Sequence, residues 1–369
     1  MKTKIRRFFA GGNTSKGFVH FYDSLLEGLD RVFILKGGPG TGKSTIIRTI
    51  AERVMGKTDE IWLLPCASDN DSLDGIIIPA WKAAVVDGTA PHVIEPKLPG
   101  AVEEYVNLGE AWDSQALALQ KDRIASIRAQ ITEAYEQAYK GFAEALRVHD
   151  GWEAVYIHSM DVEKADNLTE ELKERFFGTK TLDKQAKISR RFLGAATPIG
   201  AVDYIPNLTE DIKQRFFLKG RPGSGKSTML KKIAAHAQER GFDVEIYHCG
   251  FDPDSIDMLI FREADLAIFD STAPHEHFPE REGDEIIDMY ARCFPPGVDE
   301  AHAEQIAQFR KQYSGLMKQS IGHLARAKQL HDQLEHIYVA AMDFTIVNQK
   351  RDWIEEQLEA LSERVSHHN

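Results

Sequence analysis

The chain is written twice. RVFILKGGPGTGKST at 31–45 returns as QRFFLKGRPGSGKST at 214–228, and Lys226 follows Lys43 at an offset of 183 residues. The same offset, without a gap, lays Cys66 on Cys249, Asp69 on Asp252, Asp71-Ser72 on Asp254-Ser255 and Asp74 on Asp257. Upstream, Arg7, Phe9, Gly11, Thr14 and Gly17 meet Arg190, Phe192, Gly194, Thr197 and Gly200; downstream, the segment Asp87–His92 meets Asp270–His275. After one deletion the match resumes with His149-Asp150 over His331-Asp332 and Met160-Asp161 over Met342-Asp343. Self-similarity at a fixed period marks one structural unit built more than once. A length of 369 residues accommodates two ordinary domains. The repeat predicts modules at 1–180 and 190–369, with the boundary in the polar stretch GTKTLDKQAKIS at 178–189.

Each copy contains an apolar, β-rich run, 32–35 or 216–218, that leads into a glycine-rich loop and then into helical spacing up to Ile50 or Ile233. Further strands are predicted at 61–66 and 83–87, and at 244–249 and 266–270. Strands alternating with crossovers predict an α/β fold with mainly parallel sheets. Later, Ile124, Ile127, Ile131, Tyr135, Ala138, Phe142 and Leu146 step by three and four, the spacing of one helix face. Ile306, Phe309, Tyr313, Met317, Ile321 and Leu324 do the same in the second copy, and each stripe is followed by a second helix leading toward Phe176 or Leu361. A helical hairpin in each module is the expectation, either as a lid or partner-binding arm or, more plainly, packed on the sheet or on its twin. The segments 152–160 and 336–342 also fit a further strand, because short apolar runs cannot be typed by periodicity.

The loops carry the chemistry. Residues 37–44 and 220–227 both fit G-x-x-x-x-G-K-S/T, in which glycines let backbone N–H groups turn inward around phosphate oxygens. Gly37, Gly38, Pro39, Gly40, Thr41 and Gly42 form the first loop, and Gly220, Arg221, Pro222, Gly223, Ser224 and Gly225 the second. The helices that begin there, through Thr45 and Thr228, add their dipoles. Lys43 and Lys226 are expected to reach the β- and γ-phosphates, and the hydroxyls of Ser44 and Ser227 to coordinate Mg2+.

These residues resemble the P-loop NTPase superfamily over the core of each copy, most closely at 31–45, 83–92, 214–228 and 266–275. The resemblance implies two tandem mononucleotide-binding modules with ATP, or a related nucleoside triphosphate, and Mg2+ as ligands. It also implies an aspartate, Asp87 or Asp270, that ends an apolar strand and holds the water shell of the metal. Members that hydrolyse ATP vigorously often place a glutamate next, where this chain has Gly88 and Ser271. His92 and His275, five residues beyond the aspartates, are candidate water- or phosphate-sensing groups, or loop-capping hydrogen bonders. In P-loop kinases a carboxylate after the second strand takes the acceptor's proton, which makes Asp69 and Asp252 candidate bases; their D-x-D-S-x-D loops fit Asx turns as well. Arg7 and Arg190 read as arginines delivered across a module interface or as solvated surface groups, and Cys66 and Cys249 as small hydrophobes without metal-ligand spacing.

Composition narrows the partners. A net charge of −12 works against nucleic acid or anionic lipid, and no apolar run approaches the roughly 20 residues of a membrane span. Three cysteines and no signal-peptide pattern fit the cytoplasm. Three functions meet these constraints: an ATPase whose two sites drive a conformational change, a kinase for a small molecule or nucleotide, and a nucleotide-gated scaffold that engages a protein partner through its hairpins. The ATPase ranks first, since loop, serine and aspartate are intact in both copies, and further homo-oligomerisation is compatible with all three.

Overall fold

The computed structural model describes residues 2–368. The first copy runs β1 (Lys4–Arg7), β2 (Gly11–Thr14), β3 (Gly17–His20), α1 (Tyr22–Leu26), β4 (Arg31–Lys36), α2 (Lys43–Val54), β5 (Glu60–Pro65), β6 (Leu73–Ile78), β7 (Ala83–Asp87), β8 (Glu103–Asn107), α3 (Ser114–Leu119), α4 (Lys121–Ile157) and α5 (Val162–Phe177). The second runs β9 (Ile188–Phe192), β10 (Gly194–Thr197), β11 (Gly200–Asp203), α6 (Ile205–Leu208), β12 (Gln214–Lys219), α7 (Lys226–Glu239), β13 (Val244–His248), β14 (Ile256–Phe261), β15 (Leu266–Asp270), β16 (Asp284–Asp288), α8 (Met289–Cys293), α9 (Val298–Ala301), α10 (Ala303–Val339) and α11 (Phe344–His368).

Two six-stranded sheets result, ordered β1-β5-β6-β7-β4-β8 and β16-β12-β15-β14-β13-β9. All neighbours pair parallel except β6 and β14, which run antiparallel to both of theirs. Periodicity misses β6 because Asp74 and Gly75 break its apolar run. Gly75 is required there: a Cβ would lie 2.9 Å from Leu64 Cδ1 and 3.0 Å from Val86 Cγ1, between the two flanking strands.

Strand alternation sorts the core into layers. Val32 and Ile34 of β4 share one buried cluster with Phe217, Met258, Ile260 and Phe269 of the second copy, so the sheets pack face to face. Arg191 is buried in that interface, its guanidinium carbon 4.4 Å from the centre of the Phe8 ring and 5.1 Å from that of Trp62. Phe33 and Leu35 point the other way, toward α2.

The outer layers are exchanged between copies. The first sheet and α2 share their cluster with Val347, Ile354 and Leu358 of α11, which belongs to the second repeat. Phe216, Leu218 and Leu230 of the second sheet and helix are covered by Leu168, Leu172 and Phe176 of α5, which belongs to the first. The two long helices make the crossing. They lie antiparallel, with Ile127 against Leu330 and Leu334 near one end, and a Cβ on Gly151 would sit 3.0 Å from Phe309 near the other. The segment 152–160 is therefore not a strand: α4 stays helical to Ile157, and α10 likewise to Val339. The expected hairpins pack on each other and on the opposite sheet. No helix among the described residues is long and apolar enough to cross a membrane.

Candidate functional site

Both glycine-rich loops sit between a central strand and the helix that follows it. In the first, Gly40 and Gly42 adopt positive φ (66° and 86°), and α2 begins at Lys43, so its first N–H groups face the loop. Thr41 is fully buried and donates to the Gly38 carbonyl (2.9 Å), pinning the turn. Gly223 and Gly225 repeat the geometry (71° and 81°) ahead of α7.

The lysines fold back over their loops. Lys43 Nζ donates to the carbonyls of Gly37 (3.2 Å) and Gly38 (2.8 Å) and lies 3.7 Å from Asp87 Oδ2. Lys226 Nζ donates to the Arg221 carbonyl (3.1 Å) and lies 3.5 Å from Asp270 Oδ2. Register explains the match: Asp87 pairs with Leu35, at the end of the strand that enters the loop, and Asp270 pairs with Leu218. Ser44 Oγ accepts from the Leu73 N–H (2.9 Å) and Ser227 Oγ from the Ile256 N–H (3.0 Å). Each hydroxyl oxygen keeps a second lone pair for a cation. Lysine and aspartate thus meet in both copies, with a serine next after each lysine in the chain.

Asp69 and Asp252 are tied into Asx turns. Asp69 accepts from the Asp71 N–H (3.1 Å) and from Ser72 Oγ (2.8 Å), and Asp252 from the Asp254 N–H (3.2 Å) and Ser255 Oγ (2.8 Å). Asp74 and Asp257 leave these loops and enter the antiparallel strands. Burial, with the Asp270 carboxylate next in effect, pushes Asp257 up to about 6.

The matched histidines have different partners. His92 is buried, with Nε2 3.0 Å from Asp74 Oδ2; burial opposes its charge, but Asp74 and, to a lesser extent, Asp87 together outweigh it and raise its pKa. His275 instead places Nδ1 3.0 Å from Asp203 Oδ2, beside His277 at 3.1 Å from the other oxygen. Burial opposes ionisation of Asp203, yet these two imidazoles hold its carboxyl well below the usual range. The difference traces to one residue, since the counterpart of Asp203 is His20. Arg7 ends β1 and Arg190 lies in the middle of β9, each four strands from β4 or β12, and Arg190 Nη1 lies 3.1 Å from His248 Nε2. The cysteines depart from expectation in one respect. Cys66, together with Asp74 and His92 from the following two dozen or so residues, brings one donor atom each within 4.8 Å of one another, a set able to hold a metal.

Four side chains escape the sequence reading. Lys36 Nζ donates to the Gly88 carbonyl (2.7 Å) and Lys219 Nζ to that of Ser271 (2.7 Å), fastening the turn after each aspartate. Glu153 and Glu335 arrive from the long helices. Glu153 Oε1 accepts from the Gly223 N–H (3.2 Å), and the Glu335 backbone closes on Gly40, where a Cβ would meet its carbonyl oxygen at 2.9 Å. Their histidine neighbours share the setting: burial lowers the pKa of His149 against the pull of Glu153, with Lys226 and Asp252 also acting on it. Burial likewise lowers His331 against Glu335, with Lys43 and Asp69 acting. The available signal was the repeated His-Asp pair, which has a glutamate four residues after each histidine. Compared with known proteins, the chain matches no protein-family model, no curated protein and no solved structure.

Proposed function

We propose that the chain is a tandem P-loop NTPase that binds Mg-ATP, or a close relative, at two sites and hydrolyses it to shift the two halves against each other. One observation carries this reading. In both copies a lysine at the first turn of a helix lies 3.7 Å or 3.5 Å from an aspartate on the neighbouring strand, and the next residue of that helix is a serine whose hydroxyl oxygen accepts a single backbone N–H. Helix N–H groups and an ammonium suit a triphosphate; a hydroxyl and a carboxylate suit its magnesium. The lysines now hold loop carbonyls, bonds that phosphate oxygens replace with stronger charge-assisted ones. Hydrolysis is favoured over transfer to an acceptor because Asp69 and Asp252, the candidate acceptor bases, are occupied in turns. Three free thiols suit a reducing compartment such as the cytoplasm.

Calorimetric titration with Mg-ATP, coupled to a phosphate-release assay, tests the reading. Two equivalents bind, Lys43→Ala and Lys226→Ala each remove one, and phosphate appears without an acceptor. No binding of any Mg-nucleotide refutes it. ADP formation that depends on an added metabolite moves the assignment to a kinase, and binding with neither product moves it to a nucleotide-gated scaffold.

A further inference from the structure

Each glycine-rich loop is covered by a helix of the other copy. The Gly223 N–H donates to Glu153 Oε1 (3.2 Å), and a Cβ on Gly225 would touch Met160 Sδ at 3.4 Å, both residues of the first repeat. Around the first loop, a Cβ on Gly38 would touch the Tyr338 ring at 3.3 Å, and one on Gly42 would touch Val347 at 3.5 Å, both residues of the second. Lys328 Nζ, also from the second repeat, lies 3.5 Å from Asp69 Oδ2. The same triad comes with both helices: His149, Asp150 and Glu153 in one, His331, Asp332 and Glu335 in the other, donor atoms within 4.8 Å in each set. His149 Nδ1 lies 3.7 Å from Glu153 Oε1, and His331 Nδ1 3.8 Å from Glu335 Oε1, pairs at i and i+4 that share a helix face.

We infer that these glutamates are the water-activating bases missing after Asp87 and Asp270, supplied in trans: Glu335 serves the loop at 37–45 and Glu153 the loop at 220–228. The inference rests on the nucleotide reading above. Glu153 now takes the N–H of a loop glycine, the type of donor such loops turn toward phosphate; with nucleotide bound, a phosphate oxygen claims that donor, and the carboxylate is left beside it to bind water. The water oxygen attacks the γ-phosphorus while its proton passes to the carboxylate. The bond from γ-phosphorus to the β–γ bridging oxygen breaks, its electron pair leaves with ADP, and the proton is then released with inorganic phosphate. The histidines are positioning residues that hold the carboxylates toward the loops.

The test uses the full chain, with Mg-ATP binding by calorimetry and phosphate release measured on every variant. Glu153→Gln combined with Glu335→Gln is expected to bind Mg-ATP at both sites and to release phosphate about a hundredfold more slowly or worse. Retained binding shows that the variant is folded. Pairing is read from non-additivity. Glu335→Gln and Lys43→Ala strike one site, so their losses do not compound; Glu153→Gln and Lys43→Ala strike both sites, and together they abolish release. Wild-type rates in the double glutamine variant overturn the inference, as does the opposite pairing pattern, which places each base in cis. Wild-type protein that binds Mg-ATP without releasing phosphate also overturns it, while leaving the nucleotide reading intact. Wild-type protein that binds no Mg-ATP sinks both.

Discussion

Glu153 holds Gly223 in two ways: its carboxylate accepts the glycine N–H at 3.2 Å, and its main-chain carbonyl closes so far that a Cβ on Gly223 would lie 2.5 Å from the oxygen. Gly223 also has φ +71°, which L side chains adopt at a cost. Gly223→Ala is therefore penalised twice, by the left-handed backbone and by overlap with rigid helix backbone, about 2–4 kcal/mol together. Gly17 offers the comparison, with φ +89° and no atom within 4 Å of where a Cβ would stand. Gly17→Ala should cost only the conformational part, about 1–2 kcal/mol. Chemical denaturation of both variants measures the difference, and equal losses would mean that α4 yields freely at the loop.

The exchange of outer helices makes a prediction that sequence order contradicts. Ile354 is fully buried and lies in one cluster with Phe33, Ile46 and Ile50 of the first copy. Ile354→Ala removes a packed side chain at a cost of about 2–5 kcal/mol. Hydrogen exchange locates the damage: amides of α2, some 300 residues away in sequence, should exchange faster, while those of α7 stay protected. Faster exchange confined to α7 would place α11 on its own repeat's sheet.

The repeat made much of this legible. Strand, loop and helix around Lys43 and Lys226 follow from local signals, namely an apolar run, glycines and a 3.6-residue period, and these survive any arrangement of the halves. Which sheet α5 and α11 cover is not local: the apolar faces of Leu172 and Ile354 fit either sheet, because duplication makes the two surfaces alike. The strand at 73–78 was hidden because the polar Asp74 interrupts its apolar run, and the groups beside that carboxylate, Cys66 and His92, are brought to it by the fold. Glu153 was lost for a related reason. Its neighbours in sequence say helix, and only the crossing of α4 onto the second sheet brings it to Gly223.

The thiols give a chemical check on the core. Burial raises both Cys66 and Cys249 well above the ordinary thiol range, and Asp74 or Asp257 adds to the effect. A thiolate is the reactive form, so neither residue should be labelled by a disulfide reagent in native protein at pH 8, and both should react at once after unfolding. Rapid native labelling of Cys66, shown by peptide mapping, would mean that the strand ends near the loop open readily.

Asp284 ties the stability of the second half to pH in the acid range. Its carboxylate is fully buried, which by itself disfavours the charge, but Arg215 grips it through Nε (2.7 Å) and Nη2 (2.5 Å), and the N–H groups of Glu280 and Arg281 donate to it. The donors outweigh burial and hold its pKa down at about 2. The unfolded chain has the ordinary value near 3.9 and so binds the proton first as pH falls. Stability from this group is therefore complete above about pH 4 and is lost as pH drops toward 2, a contribution of about 2–3 kcal/mol. Asp284→Asn should lower neutral-pH stability by at least that amount, since Arg215 is left buried without its counter-charge. It should also flatten the pH dependence between 4 and 2. Urea titrations at pH 7, 4 and 3 separate the two effects. A mutant whose stability falls with acid as steeply as the wild type's would show that other carboxylates carry the transition and that the grip of Arg215 on Asp284 is energetically idle.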